Sequence, residues 1–380
     1  MEVQQELQWF PPDQPEYAPT PELRRWWVSM DNPENPFSKF IGNEVAVRRL
    51  CRAAYTALER HNRCCRDQSF ALLGPPSTGK TTIVKMFADL MDLPLVEVNP
   101  RSISTLSDLL EQISLVLEKR TIQRFDDGSA STLELVPDDD GRIVVPPCIV
   151  FIDEVHCLKN NIVQGLLKAT EKKDSVMVVE NGWIVDCYNI CWCIATTDRA
   201  ALDSAFETRF TKINLQLYTT EEIAQIVQIN YPEWDDEVCS LVAKYSEHIP
   251  RVALDFAAEM QLEYNMNQGE WEDIAAIVAE DHEIDEHGMA YQRVSILSAL
   301  GQGPIPRNQM VSFVNCKEEE LVKRIMPPLL SASRDSEPLV KTTSKGYVIT
   351  EHGIKELDKR GIKHAYGATI TNRLNMHTDN

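Results

Sequence analysis

The sequence lacks the features that would place the protein outside the cell or in a membrane. Residues 1–6 have neither the basic nor the apolar region of a secretory signal, and no apolar run is long enough to span a bilayer. The ten cysteines show no paired C-x-x-C spacing and no matching histidine set, which argues against a zinc site or a disulfide framework. We therefore expect a soluble, cytoplasmic protein with reduced cysteines and no membrane partner.

Positive charge is also scarce. The chain carries 38 Lys and Arg against 58 Asp and Glu, a net charge of -20. Such an acidic protein is not a general polyanion binder, so any contact with nucleic acid must come from local basic patches. With 380 residues and 43% hydrophobic content, the chain can form two or three domains.

One stretch carries a nucleotide-binding motif. The apolar run Phe70–Leu73 leads into a loop that reads G-x-x-x-x-G-K-T, and apolar residues at helical spacing follow it. The loop consists of Gly74, Pro75, Pro76, Ser77, Thr78, Gly79, Lys80, Thr81 and Thr82. The alternative, a glycine turn before an ordinary helix, does not explain why a lysine and a hydroxyl follow Gly79 directly.

Each residue type in this loop has a task. Gly74 and Gly79 let the backbone curl so that its N–H groups face phosphates, and the helix that begins near Lys80 adds the positive end of its dipole. Lys80 provides charge for the β- and γ-phosphates. The Thr81 hydroxyl can hold Mg²⁺, and Thr82 can contact an α-phosphate oxygen. The sequence therefore predicts a site for a nucleotide and Mg²⁺.

A second buried strand ends in two acids. The apolar run Cys148–Ile152 is typical of the centre of a parallel sheet, and Asp153 and Glu154 follow it. Because ligands bind at the carboxyl ends of such strands, these acids are expected beside the loop. Asp153 can hold a water of Mg²⁺, while Glu154 can orient and activate the attacking water. For His156, which is close in sequence, a packing or supporting role is preferred to catalysis.

Four other segments are organised differently. Residues 1–36 are rich in Pro, Glu and Gln and predict a flexible arm. Residues 125–147 predict a polar, solvated insertion. Residues 176–185 predict a β-hairpin, with Asn181-Gly182 as a two-residue turn. The acidic segment 269–287 is expected to face solvent near a domain boundary.

The C-terminal part predicts helices followed by two short strands around residues 342–346, which is the pattern of a winged helix. Basic residues concentrate here: Arg307, Lys317, Lys323, Arg324, Arg334, Lys341, Lys345, Lys359, Arg360 and Lys363. The wing of such a domain can contact DNA. Winged helices also bind proteins, and Glu318-Glu319-Glu320 lies within this basic set, so both readings remain open.

In this order the motifs resemble those of the AAA+ ATPases and, within them, the RuvB family of Holliday-junction branch-migration motors. The resemblance spans about residues 36–357 and rests on Phe40-Ile41-Gly42, Asp153-Glu154-Val155-His156, Ala195-Thr196-Thr197 and Arg209-Phe210, besides the loop. It implies an α/β P-loop NTPase domain with a helical lid and a C-terminal winged helix. The expected divisions are 1–36 arm, 37–218 ATPase domain, 219–288 lid, 289–357 winged helix and 358–380 basic tail.

The resemblance also implies roles. Ile41 and Tyr218 would flank the adenine, Thr197 would sense the nucleotide, and Arg251 would reach it from the lid. Arg209 would act as an arginine finger in the site of a neighbouring subunit of a hexameric ring. Lys341 and Lys345 would meet duplex or branched DNA, and the 176–185 hairpin would dock a RuvA-like partner.

Departures from the family pattern indicate a divergent relative, of the kind that phages or mobile elements carry. Ser77-Thr78 replaces the usual Gly-Leu, Glu207 stands where a further arginine is expected, and the hairpin is shorter. We therefore expect an ATP-hydrolysing DNA motor. Two alternatives are a clamp-loader-like or initiator-like switch that assembles on DNA or protein without processive movement, and a protein-binding ATPase that does not touch DNA.

Overall fold

The computed structural model describes residues 21–59, 69–120, 123–124, 130–131, 135–171, 173–330 and 337–366. The chain divides into two compact units, Met1–Leu215 and Gln216–Asn380. Parts of the predicted arm (1–20), insertion (125–129 and 132–134) and tail (367–380) lie outside the described residues, as does Arg334.

Among its described residues, the first unit combines ten strands with six α-helices. Its strands are β1 (Phe70–Leu73), β2 (Leu95–Val98), β3 (Gln123–Arg124), β4 (Ala130–Ser131), β5 (Arg142–Val144), β6 (Cys148–Ile152), β7 (Val176–Val178), β8 (Ile184–Asp186), β9 (Ile190–Thr196) and β10 (Thr211–Asn214). Its helices are α1 (Pro21–Trp27), α2 (Glu44–Glu59), α3 (Lys80–Met91), α4 (Leu106–Arg120), α5 (Asn160–Ala169) and α6 (Ser204–Glu207).

The central sheet has five parallel strands in the order β10-β1-β9-β6-β2. Every residue of β1, β6 and β9 is buried, as expected for strands covered on both faces. Residues of α2 and α3 pack on one face of the sheet, and residues of α4 and α5 pack on the other. This confirms the predicted α/β P-loop fold and brings the carboxyl ends of β1, β9 and β6 to one edge.

The predicted arm is ordered over residues 21–36. Helix α1 is followed by a loop in which Asn32 and Asn35 are buried, and the Asn35 carboxamide accepts a hydrogen bond from Phe37 N–H at 3.0 Å. The Trp27 Nε1–H donates to the Leu90 carbonyl at the end of α3, at 2.9 Å. The tryptophan therefore attaches this segment to the core, and the flexible-arm prediction is wrong for these residues.

The predicted insertion also contributes to the fold. Strand β5 pairs in parallel with β8, which pairs antiparallel with β7, and Ile143 and Val145 are buried. The solvated-loop prediction is therefore wrong for residues 142–145. The hairpin is present, but its turn is centred on Glu180 and Asn181: Gly182 N–H donates to the Val179 carbonyl at 2.8 Å, and Gly182 has φ +87°. A longer loop of this kind uses its glycine after the turn, not inside it.

The second unit contains nine helices and one strand pair among its described residues. The helices are α7 (Thr220–Asn230), α8 (Asp236–Lys244), α9 (Pro250–Asn267), α10 (Trp271–Asp281), α11 (Tyr291–Leu300), α12 (Arg307–Val314), α13 (Glu318–Glu320), α14 (Pro327–Leu330) and α15 (Glu351–Lys359). The strands are β11 (Val340–Thr343) and β12 (Gly346–Ile349), which pair antiparallel. Between α13 and α14 lies a π-helical turn, Leu321–Ile325.

This unit has two hydrophobic cores. One contains residues of α7 to α10, and the other contains residues of α11, α12, α14, α15 and the strand pair. Ile305 makes a bridge to Tyr347, which completes the three-stranded arrangement of a winged helix. The predicted C-terminal winged helix is thus confirmed, while the exact domain boundaries remain predictions. Over the described part of the chain, no helix is long and apolar enough to cross a membrane.

Candidate functional site

The loop after β1 is curled as the motif predicts, but Gly74 is required for a different reason from the one predicted. Ser77 (φ +59°) and Gly79 (φ +84°) take left-handed conformations, so both curl the backbone. At Gly74 the requirement is space, because a Cβ would lie 2.5 Å from the Leu215 carbonyl oxygen. The fully buried Thr78 donates its hydroxyl to the Pro75 carbonyl at 3.0 Å, which braces the loop internally.

Lys80 and Thr81 open helix α3 and face different partners. The Lys80 ammonium lies within the loop, where it donates to the carbonyls of Gly74 (3.0 Å) and Pro75 (2.7 Å). Burial lowers the pKa of Lys80, and the nearby carboxylates of Glu154 and Asp153 oppose that effect. The Thr81 hydroxyl donates to Asp153 Oδ2 at 3.3 Å. The two motifs therefore meet through Thr81 and Asp153.

The acids after β6 are held in separate directions. Asp153 Oδ1 accepts the backbone N–H of Glu154 at 2.9 Å, which fixes the carboxylate that faces Thr81. Glu154 has a left-handed backbone (φ +49°). Its carboxylate lies at the end of the adjacent strand β9, where Thr197 donates its N–H at 3.2 Å and places its hydroxyl 3.0 and 3.1 Å from the two oxygens. The predicted base and the predicted sensor are therefore in direct contact.

His156 belongs to this network. Its Nδ1 lies 2.9 Å from the Thr196 hydroxyl and 3.2 Å from Glu154 Oε2. The Thr196 hydroxyl also accepts the Asp198 N–H at 3.0 Å and is almost completely buried. The supporting role preferred from the sequence thus has a geometric basis. The motif Ala195-Thr196-Thr197 does not distinguish the two threonine hydroxyls, but in the structure Thr196 contacts His156 and Thr197 contacts Glu154.

Arg209 is engaged within its own subunit. Its Nη1 lies 3.1 Å from Glu171 Oε1, and its side chain is 25% exposed. The buried Nε has no hydrogen-bond partner among the described residues. Nearby, Glu207 accepts from Arg199 at 2.8 Å and from Lys212 at 3.2 Å. Burial alone would raise the pKa of Glu207, but these hydrogen bonds outweigh it and lower the pKa.

The remaining predicted nucleotide residues lie on other elements. Ile41 is half-buried before α2, next to Gly42 and Asn43, which both have left-handed backbones. Tyr218 is 3% exposed within the helical core of the second unit. Arg251 is exposed in the first turn of α9, after Pro250. Thr82 is exposed on α3. Their roles at the nucleotide stay predictions.

The strand pair of the winged helix presents Lys341 and Lys345, and both are exposed. One member of the predicted basic set is different. The Arg360 side chain is 6% exposed and contacts Asp285 at 2.5 Å and Glu356. Burial alone would raise the pKa of Asp285 and lower that of Arg360. The hydrogen bonds between the two side chains outweigh burial, so the pKa of Asp285 is lowered and that of Arg360 is raised. Arg360 is therefore structural, and the prediction that the acidic segment faces solvent is wrong for Asp285.

Comparisons with known proteins agree with this geometry. Residues 70–217 match the model of the ATPase family associated with various cellular activities (AAA). Similar curated proteins include the Holliday junction branch migration complex subunit RuvB of Mycoplasma pneumoniae, 23% identical over 84% of this chain and 96% of that protein. The RuvB of Thermotoga maritima is 22% identical over 84% of this chain and 90% of that protein.

Solved structures show the same fold. A mutant of Thermotoga maritima RuvB has a TM-score of 0.65 at 21% identity and covers 86% of this chain and 97% of its own. The Thermotoga maritima RuvB Holliday junction branch migration motor has a TM-score of 0.62, with 87% and 99% covered. The nucleotide-binding loop, the match of residues 70–217 to the AAA family model and the nearly full-length likeness to RuvB support a divergent, RuvB-like AAA+ ATPase.

Proposed function

We propose that the protein is an ATP-driven DNA motor that hydrolyses ATP between ring subunits to translocate or remodel duplex or junction DNA. The observation that carries this proposal is the convergence of the nucleotide loop, Asp153, Glu154 and Thr197 at the ends of three adjacent parallel strands. The carboxyl edge of such a sheet is where open α/β proteins bind their ligands.

The residues fit the chemistry of ATP hydrolysis with Mg²⁺. The Thr81 hydroxyl and the Asp153 carboxylate, 3.3 Å apart, are the oxygen ligands that Mg²⁺ prefers, usually together with substrate phosphates. When bound, the ion supplies charge neutralisation at the phosphates. Lys80 binds the β- and γ-phosphates, backbone N–H groups of the loop orient them, and Glu154 accepts a proton from the attacking water.

The site is completed by another subunit. Arg209 stabilises the charge that develops on the γ-phosphate in the neighbouring subunit's site, and Arg251 contacts the nucleotide from the lid. Ile41 and Tyr218 flank the adenine. This arrangement requires a ring, which we take to be a hexamer by analogy with the RuvB family.

DNA contacts belong to the winged helix. Lys341 lies exposed on strand β11 and Lys345 in the turn between β11 and β12, where both can neutralise phosphates. The hairpin at 176–185 is the candidate site for a RuvA-like junction-binding partner, and it exposes Val178 and Trp183. The expected compartment is the cytoplasm.

The alternative is a clamp-loader-like or initiator-like switch. The ATPase site alone does not distinguish it from a motor. The C-terminal winged helix favours the motor, since the collar of clamp loaders is built differently. A protein-binding ATPase that ignores DNA is distinguished by experiment.

The test combines ATPase and strand-exchange assays. Wild-type protein is expected to hydrolyse ATP faster with duplex DNA and to exchange strands on a four-way junction. Glu154→Gln is expected to bind ATP but to hydrolyse it at least about 100-fold more slowly, because the base is lost and the phosphate contacts remain. DNA-stimulated hydrolysis without strand exchange would favour the switch, and hydrolysis indifferent to DNA would favour the protein-binding reading.

A further inference from the structure

The turn before helix α9 has an unusual backbone. Glu247 (φ +53°) and His248 (φ +65°) are consecutive non-glycine residues in the left-handed region. Each costs free energy, and such conformations persist only where the surroundings fix them, commonly at functional sites. The turn is followed at once by Ile249-Pro250-Arg251.

The start of α9 depends on this turn. No capping side-chain hydrogen bond is found at Ile249 within the described chain, so no capping side chain fixes the first helical turn. The backbone before it is tied instead: Ile249 N–H donates to the Ser246 carbonyl at 3.0 Å, and the buried Ser246 hydroxyl donates to the Ala243 carbonyl at 2.7 Å. The position of Arg251 therefore follows the conformation of Glu247 and His248.

The winged helix holds the turn through an ion pair. Arg293, in the first turn of α11, contacts Glu247 Oε2, and the two side chains are only 18% and 16% exposed. The other carboxylate oxygen, Oε1, is buried without a hydrogen-bond partner among the described residues. Arg293 is thus the charged partner of Glu247 in this part of the chain. A pair shielded in this way is weakened little by salt.

A second contact braces the same place. Gly288, shortly before α11, has φ +85°, and a Cβ there would lie 2.1 Å from the Lys244 carbonyl oxygen at the end of α8. The segment that leads into the winged helix therefore packs on one side of the turn, while Arg293 holds the turn itself. A displacement of α11 has a direct route to the start of α9.

We propose that the ion pair of Glu247 with Arg293 couples the winged helix to the placement of Arg251, so that DNA stimulates ATP hydrolysis through this link while basal hydrolysis does not depend on it. The proposal rests on the proposed function, in which Arg251 contacts the nucleotide and the winged helix binds DNA. DNA that moves α11 would thereby change the orientation of Arg251.

The test removes the link without leaving a buried charge alone. A double variant, Glu247→Gln with Arg293→Met, keeps similar volumes, and neutral replacement of both partners is often tolerated. We expect basal ATPase, ATP affinity and melting temperature close to wild type, with the stimulation by duplex DNA reduced about fivefold or more. Glu259→Gln is the matched control, because it removes a carboxylate of α9 whose Oε2 lies 2.7 Å from His282 Nε2, away from the turn.

Amide hydrogen exchange gives a readout that does not depend on activity. In the double variant, exchange should become faster in the first turn of α9 and stay unchanged near Met266, at the other end of the helix. A folded double variant with normal DNA stimulation and normal exchange would overturn the coupling while leaving the proposed function intact. If DNA does not stimulate the ATPase of the wild type, both the proposed coupling and the proposed function are contradicted. If amide exchange in the first turn of α9 is unchanged in the double variant, the ion pair does not set the placement of Arg251, whatever the ATPase activity of the variant.

Discussion

The hydroxyl of Thr197 lies within hydrogen-bond distance of both carboxylate oxygens of Glu154, at 3.0 and 3.1 Å. The Thr197 backbone N–H donates to the same carboxylate at 3.2 Å. The residue predicted to sense the nucleotide therefore holds the residue predicted to activate water. The backbone bond does not depend on the side chain, so the hydroxyl can be tested separately.

Thr197→Val should slow hydrolysis by about tenfold or more while ATP binding stays close to wild type. The valine keeps the shape and removes the hydroxyl donor that orients Glu154. Single-turnover hydrolysis and equilibrium ATP binding measure the two effects separately. Thr197→Ser restores the hydroxyl and should recover most of the rate; equal loss in both variants would point to packing instead of orientation.

Arg209 should act on a neighbour's nucleotide although it contacts Glu171 in its own subunit. Arg209→Ala and Lys80→Ala are each expected to abolish hydrolysis, by about 1,000-fold for the arginine. When the two inactive variants are mixed, some interfaces combine an intact loop from one subunit with an intact arginine from the other. Activity should return to about a quarter of wild type for equal, random mixing in a ring.

Mixing either variant with more of itself is the control for concentration. A mixture that stays inactive, although subunit exchange is verified by labelling, would contradict the action of Arg209 in a neighbour's site.

The sequence predicts the parts of this site that depend on residue order. Lys80, Thr81 and Asp153 follow buried parallel strands, and strand order alone brings their ends together, so the contact between Thr81 and Asp153 could be anticipated. Residue order does not predict the hydrogen bond between Thr197 and Glu154, because that bond depends on the side-chain direction set by the left-handed backbone of Glu154.

Long-range contacts of loops were the least predictable. The composition around Trp27 predicts a flexible arm, yet its indole N–H donates a hydrogen bond to the Leu90 carbonyl, 63 residues away in sequence. The basic residues near Arg360 in sequence predict an exposed side chain, yet Arg360 is buried in contact with Asp285. In both cases a polar contact with a residue distant in sequence helps to hold the side chain, and the local composition does not indicate that contact.

Glu180 ties the hairpin tip to helix α4. Its carboxylate accepts the backbone N–H groups of Leu106 (2.8 Å) and Ser107 (2.9 Å) and the Ser107 hydroxyl (2.7 Å). Partial burial would raise the pKa of Glu180, but these hydrogen bonds outweigh it, so the folded-state pKa lies below the ordinary 4.5. A depressed pKa means stability that is present above pH 4.5 and is lost as pH falls through the folded value.

Glu180→Gln should therefore lower the free energy of unfolding by about 0.5–1 kcal/mol at neutral pH. This value is at the low end of the stabilisation that side chains give at a helix N-terminus, because Glu180 is exposed. Denaturant unfolding at several pH values measures it, and the difference between wild type and variant should shrink below pH 4.5. Glu111→Gln, exposed on the same helix, is the control. A difference that persists unchanged at low pH would exclude the charge as its origin.

Ser77 takes a left-handed backbone in the nucleotide loop, at φ +59°, where glycine fits without strain. Ser77→Gly should relieve about 1 kcal/mol of that strain, partly offset by the greater freedom of glycine in the unfolded chain. Ser77→Val should do the opposite, because a β-branched side chain is poorly tolerated at positive φ. Thermal unfolding should therefore rank the three proteins Gly, Ser, Val from most to least stable. ATP affinity should follow the same order, because this loop conformation is the one expected to bind phosphate. If the valine variant binds ATP as well as the glycine variant does, the loop must change its conformation around Ser77 when the nucleotide binds.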